Sequence, residues 1–137
     1  MNPRPVDGAR VFVTGGRGFL GRVVCERLAA AGATEVLAPS HAELELRDGA
    51  ALNAALEEIR PDIVIHLAAN VGGIGANQLH PGEFWRDNLL MGVNVLEASR
   101  LAAVRRLVVV GTVCAYPKFT EVPFKETSLW TGYPEET

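Results

Sequence analysis

The sequence predicts an α/β fold with a doubly wound parallel sheet, and three observations carry that expectation. Short apolar runs rich in β-branched residues recur at 11–13, 63–65 and 107–110, the composition of strands covered on both faces. Between them, apolar residues repeat at helical spacing, as Leu20, Val24 and Leu28, then Leu52, Leu56 and Ile59, then Leu89, Val93 and Leu96. That is the pattern of helices laid on a sheet. The strands end in glycine or small residues at Gly15, around Ala68, and at Gly111 before Thr112, where such a sheet gathers its ligands.

Taken in order, an unpatterned tail runs through Ala9 and gives way to the strand Val11, Phe12 and Val13. Gly15, Gly18 and Gly21 follow at Gly-x-x-Gly-x-x-Gly spacing. Such glycines permit an unusual φ, close approach of backbone to a pyrophosphate, and tight packing of the next helix on the sheet. The N–H groups at the start of that helix would face the phosphates. The same spacing also occurs in plain turns, but the strand before it and the helical periodicity after it favour a dinucleotide cradle. Gly32 stops the helix. Residues 35–38 form a brief second strand ended by Pro39, and 43–46 read as a third, with Leu44 and Leu46 alternating against glutamates.

Asp48 is placed to cap a helix that ends at Arg60-Pro61. After the strand 63–65, the stretch from His66 to Asn77 is a loop too rich in glycine and alanine to serve core packing alone. Small residues let another molecule approach. A long helix spans Pro81 to Ala103, and 107–110 is a further buried strand ended by Gly111. Residues 112–137 have little periodicity and read as loop, more than a compact domain normally carries at a chain end. The expectation is that the protein is cut there rather than that the segment folds over a ligand.

With 137 residues and 48% hydrophobic content, one core is expected and no room remains for a separate substrate domain. A net charge of −3 with dispersed basic residues leaves no electrostatic footprint for nucleic acid. No apolar run approaches membrane-spanning length and no signal-peptide core opens the chain, so a cytoplasmic protein is expected. Cys25 and Cys114 lie too far apart in the chain for a disulfide framework or a metal motif. Cys25 falls beside Val24 in the first helix, as a small hydrophobe. His66, at the end of a buried strand, reads as a hydrogen-bonded core or rim histidine. NAD enzymes place an acid at the end of the second strand, but Ala38, Pro39, Ser40 and His41 offer none, so NADP(H) is favoured and NAD stays possible. Asp48 could also reach an adenine amino group, although capping is the simpler role.

From Thr14 to Gly21 the sequence Thr-Gly-Gly-Arg-Gly-Phe-Leu-Gly resembles the extended short-chain dehydrogenase/reductase family. Val-Gly-Gly-Ile-Gly-Ala-Asn at 71–77, Phe-Trp-Arg-Asp-Asn at 84–88, Asn94-Val95, Cys-Ala-Tyr-Pro-Lys at 114–118, Pro123, and 126–132 resemble its GDP-L-fucose synthase branch. The likeness runs to Glu-Glu-Thr at 135–137 and covers roughly the N-terminal half of a typical member. It implies a Rossmann-type sheet, incomplete in this chain, so that 1–137 is one N-terminal NAD(P)-binding part without the substrate domain. It also implies C3 and C5 epimerisation of GDP-4-keto-6-deoxymannose, reduction at C4 with NADPH, and a homodimer.

The resemblance assigns cofactor contacts to Gly15, Arg17, Gly18, Phe19, Leu20, Gly21, His41, Leu46, Ala68, Ala69 and Asn88. Arg17 matches an arginine that meets the 2′-phosphate. His41 stands where a second arginine is common, which softens the preference by replacing a permanent cation. Thr112 stands where the family has its catalytic serine, and keeps the hydroxyl that polarises the C4 carbonyl. Cys114 matches the epimerisation cysteine, which accepts or returns a proton next to the ketone on the sugar face it sees. The histidine that partners it in the family does not follow Cys114 here. The Tyr-x-x-x-Lys pair of such reductases is absent, since Tyr116 is followed four positions on by Thr120, and Tyr133 by Thr137. The 137-residue chain alone is therefore expected to be inactive. Two alternatives stay open: another sugar-nucleotide epimerase, dehydratase or reductase, and a non-catalytic nucleotide-binding module.

Overall fold

The computed structural model describes residues 6–134. The first five residues of the expected tail, and the end of the resemblance at 135–137, lie outside the described residues. Four strands, β1 (Arg10–Thr14), β2 (Glu35–Leu37), β3 (Ile63–His66) and β4 (Arg106–Val109), form one parallel sheet in the order β2-β1-β3-β4. The helices α1 (Phe19–Ala30), α2 (Gly49–Ile59), α3 (Ile74–Leu79) and α4 (Pro81–Leu101) connect them. From β1 the chain winds outward to β2, then returns to the other side of β1 for β3 and β4. The reversal between β1 and β3 is the switch point of a doubly wound sheet.

Alternation along β1 divides the core in two, because successive side chains of a strand leave by opposite faces. Phe12 joins Leu52, Leu56, Val64, Val95 and Ala98 on one face. Val11 and Val13 join Ala9, Leu28 and Ile63 on the other, with Val24 and Cys25 packed against them. The expected cap is present: Asp48 Oδ1 accepts the N–H groups of Ala50 and Ala51, each at 3.0 Å. α2 then ends at Arg60, whose φ of 48° turns the chain toward Pro61.

Several expectations need correction. Ala9 is buried, and the Gly8 N–H donates to the Gly32 carbonyl at 2.8 Å. The end of the tail is thus docked rather than unpatterned. Residues 43–46 are not a strand: the N–H groups of Glu43 and Leu44 both donate to the Ser40 carbonyl, closing a turn. Leu44 and Leu46 still reach the core, so their two-residue spacing reflects a loop laid over apolar side chains. Leu20 is half exposed, at the first turn of α1. The His66-to-Asn77 loop is shorter than expected, because α3 begins at Ile74.

In α4, Leu89, Val93 and Leu96 do lie on one face, but it is the exposed one. Asp87, Val95, Ala98 and Ser99 are buried instead. Val95 and Ala98 meet Leu52 and Leu56 of α2 in the core, so the bulkier stripe is left outside. β4 is not a buried strand either: Val108, Val109 and Val110 are exposed, and of this run only Leu107 packs against the core. Residues 112–134 hold two short 3-10 turns, Val113–Ala115 and Glu126–Trp130, and a bridge between Pro117 and Pro134.

At their carboxyl ends β1 and β3 are tied by a buried polar contact. Thr14 Oγ1 lies 2.7 Å from His66 Nδ1 and accepts the N–H groups of Leu67 and Ala68 at 3.3 and 3.2 Å. The buried hydroxyl and imidazole thus satisfy each other across the two strand ends. Burial pushes the His66 pKa down.

Two outcomes follow. Protonation of His66 favours the unfolded chain, so its contribution to stability is complete above about pH 6.5 and is lost as pH falls below that toward the folded value. Urea titrations at pH 7.5 and 5.5 are expected to give lower stability at 5.5, and His66→Gln should flatten that difference. An unchanged slope in the variant assigns the decline elsewhere. Ser99 Oγ is buried with no hydrogen-bond partner among the described residues. Ser99→Ala is therefore expected to stabilise the chain by about 1 kcal/mol in the same titration.

Candidate functional site

A cleft of about 520 Å³ opens at the switch point, walled by the turn after β1, the segment 39–47, the strand end at Ala68, Ala69 and Asn70, and Asp87 and Met91 of α4. Its floor is the glycine turn. Gly15 has φ +69°, and a Cβ there would stand 2.7 Å from the Ala68 nitrogen. Gly21 packs with no space between it and the Gly15 carbonyl. Gly18 differs, because a Cβ on it would meet only the Gly15 oxygen at 3.2 Å and otherwise enter open space. It is the N-cap residue of α1, which has no side-chain cap and no acid in its first turn. The first N–H groups of a twelve-residue helix are thus left for an anion. This cradle fits the pyrophosphate of a dinucleotide.

Arg17 forms the next wall. Its Nε donates to the Ala38 carbonyl at 3.0 Å and its Nη2 to Glu43 Oε2 at 2.6 Å. The same Glu43 oxygen accepts the Ser40 N–H at 2.7 Å and the Ser40 hydroxyl at 2.8 Å. The Ser40 N–H is the main reason the Glu43 carboxyl is held below its usual range. An acid therefore does reach the end of β2, from a position beyond the four residues 38–41 in which none is found. It is engaged by Arg17 and Ser40, so the absence of an acid no longer argues for NADP(H) and Arg17 alone does. His41 borders the cleft and lies 3.5 Å from Glu45.

The opposite side is braced by charge and amide pairs. Asn88 Oδ1 accepts the Asn70 N–H at 2.7 Å, and Asn88 Nδ2 donates to the Asn70 carbonyl at 2.8 Å. The buried Asp87 carboxylate meets Arg86 at 2.8 Å and Arg47 at 3.1 Å, and Asn70 Nδ2 at 3.3 Å. Arg86 is the principal cause of its lowered pKa. Arg47 also grips Glu45, whose carboxyl it holds down to about 2. Asn94 Nδ2 donates to the Leu46 carbonyl at 2.9 Å, fixing that segment to α4.

Of the residues singled out from the sequence, Gly15, Arg17, Gly18, His41, Leu46, Ala68 and Ala69 border one cleft. Gly21 lies behind the turn, Asn88 behind the wall it braces, and Phe19 and Leu20 project into solvent at the start of α1. Thr112 and Cys114 do not line this cleft. They sit in the exposed turn after β4, where Thr112 Oγ1 accepts the Cys114 N–H at 3.2 Å. Just beyond them, Tyr116 stacks on Phe124 with ring centroids 4.8 Å apart. Cys25 is half-buried, and burial pushes its thiol up, as suits packing. Thr14, Ser40, Glu43, Arg47, Asn70 and Asp87 receive no site role from the sequence. Thr14 has a local signal in its place before the first glycine, and Asp87 in the motif at 84–88. No helix among the described residues is long and apolar enough to cross a membrane.

A model of the NAD dependent epimerase/dehydratase family matches residues 11–136. The probable GDP-L-fucose synthase 1 of Oryza sativa subsp. japonica is 39% identical over 131 residues, which make up 95% of this chain and 40% of the rice protein. A GDP-L-fucose synthetase from Naegleria fowleri, bound to NADP, has the same fold with a TM-score of 0.84 at 31% identity, over 98% of this chain and 41% of its own. MlghC, a GDP-mannoheptose C4 reductase from Campylobacter jejuni with NADP bound, gives 0.85 at 27% identity, over 96% and 39%. The chain thus spans about two fifths of the length of these relatives. The family model spans the sheet and the segment after β4, and the chain belongs to the NAD dependent epimerase/dehydratase family.

Proposed function

We propose that this chain is the NADP(H)-binding part of a sugar-nucleotide epimerase-reductase that converts GDP-4-keto-6-deoxymannose to GDP-L-fucose. The observation that carries the reading is the cleft at the switch point, with an uncapped helix N-terminus over a glycine turn and Arg17 on its rim. The first turn of α1 holds the pyrophosphate, and Arg17 pairs with the 2′-phosphate. Ala68 and Leu46 supply apolar wall, while Asn88 and Asp87 keep the Asn70 loop in place. The cofactor supplies hydride to C4 when bound.

The second group of residues handles the sugar. Thr112 Oγ1 already accepts the Cys114 N–H, so its own proton is free to be donated to the C4 oxygen, where negative charge develops. Cys114 exchanges a proton next to the ketone on the one sugar face it meets, the C–H electron pair moving toward the carbonyl oxygen. Inversion needs a second acid-base group on the opposite face, a role the family gives to a histidine beyond the cysteine, and none follows Cys114 in these residues. The final protonation at C4 oxygen needs a Tyr-Lys pair that these 137 residues do not contain. By the same family likeness, the working protein is a cytoplasmic homodimer. A C4 reductase or related epimerase acting on another GDP-sugar is the second reading, favoured by the likeness to the GDP-mannoheptose enzyme.

Gly18→Val is expected to weaken NADPH binding at least tenfold, because its methyls enter the space of the pyrophosphate. Calorimetric titration reads the affinity and circular dichroism checks the sheet. Unchanged affinity would reduce the glycine turn to a structural element. In a protein joining this chain to a Tyr-x-x-x-Lys segment, Cys114→Ser should suppress solvent deuterium exchange at C3 and C5 more than it suppresses NADPH oxidation with an already epimerised substrate. Normal exchange in the variant would favour the simple reductase. The 137-residue chain itself should oxidise no NADPH in that assay.

A further inference from the structure

We propose that Glu43 is a positioning residue which gives this cleft its selectivity for a 2′-phosphate by holding the Arg17 guanidinium from behind. The inference rests on the proposed seating of the cofactor, and adds a residue to it. Arg17 borders two depressions, the main cleft and a shallower groove along the edge of β2. Glu43 borders only the groove. The guanidinium is therefore a partition with a carboxylate on its far side.

Left alone, a long and 61% exposed arginine side chain would sample many rotamers, and ordering it would oppose phosphate binding. Two acceptors restrain it here, the Ala38 carbonyl on Nε and Glu43 Oε2 on Nη2. They use two of the five N–H donors of the rigid guanidinium fork and leave the other three for an anion. Glu43 is itself held, since the Ser40 N–H and hydroxyl converge on the same oxygen. The restraint passes in order from Ser40 through Glu43 to Arg17. Glu43 also offsets the charge of Arg17, but the pair is exposed and solvent screens that opposing effect.

The test uses the adenosine half of the cofactor as probe, which separates phosphate selectivity from catalysis. Dissociation constants for 2′,5′-ADP and 5′-AMP are measured by calorimetry on the 137-residue chain, and their ratio is compared among variants. Glu43→Ala is expected to cut the preference for 2′,5′-ADP about fivefold, within the range of an exposed ion pair. Glu43→Asp should do the same, since a carboxylate one methylene shorter no longer reaches Nη2. Glu43→Gln, which keeps an acceptor of the same length, should hold the ratio within twofold. A ratio that is unchanged or increased in Glu43→Ala overturns the inference, and an increase would mean that Glu43 competes with the phosphate. Arg17→Ala separates the two levels: if it leaves the preference intact, the phosphate is not on Arg17 and the assignment beneath falls too. A preference lost in Arg17→Ala but kept in Glu43→Ala removes only the role given to Glu43.

Discussion

The close approach of the turn after β1 to the end of β3 is the constraint on which the cleft depends. A Cβ at Gly15 would collide with the Ala68 backbone, so only glycine allows these two strand ends to meet at this separation. The preceding Thr14 then closes the contact, with one hydroxyl serving His66, Leu67 and Ala68. Position and polarity are set together. The apolar β1 side chains bury the strand, Gly15 turns the chain, and the Thr14 hydroxyl takes up the Ala68 amide just past the end of β3.

Around that rigid floor the walls are built differently. The segment 39–47 has no regular structure, and its shape comes from the Ser40 turn, from Glu43 on Arg17 and from Asn94 on the Leu46 carbonyl. The facing loop at Asn70 is held by the side chains of Asp87 and Asn88 on α4. Polar side chains thus do for the walls what backbone pairing does for the floor. Such walls adjust more readily than a sheet, because each contact is single and partly solvated.

Local chemistry was legible in the sequence where the residue types had one meaning. Val11, Phe12 and Val13 before three spaced glycines specify strand, turn and helix, and Asp48 before Ala50 and Ala51 specifies a cap. Patterns that depend on distant partners were not legible. Leu44 and Leu46 alternate as a strand would, but the chain closes a turn on the Ser40 carbonyl and both leucines fold down onto the core instead of extending beside β2. The leucine and valine stripe of α4 has helical period, yet period alone cannot say which of two apolar stripes turns inward. The stripe that carries Val95 and Ala98 is the one that meets the α2 leucines and turns inward. Glu43 on Arg17 had no signal, because the contact crosses a turn whose closure is itself a tertiary result.

The open side of β4 has a practical consequence. Its outer edge has no strand beside it among the described residues, and Val108, Val109 and Val110 stand exposed along it, while the outer stripe of α4 exposes further leucines and valines. An unpaired strand with apolar side chains is a template for another chain's backbone. Arg105 and Arg106 at its start are charges of the kind that blunt such an edge without covering it. Handled alone at high concentration, this polypeptide should be limited first by colloidal association, well before loss of its fold.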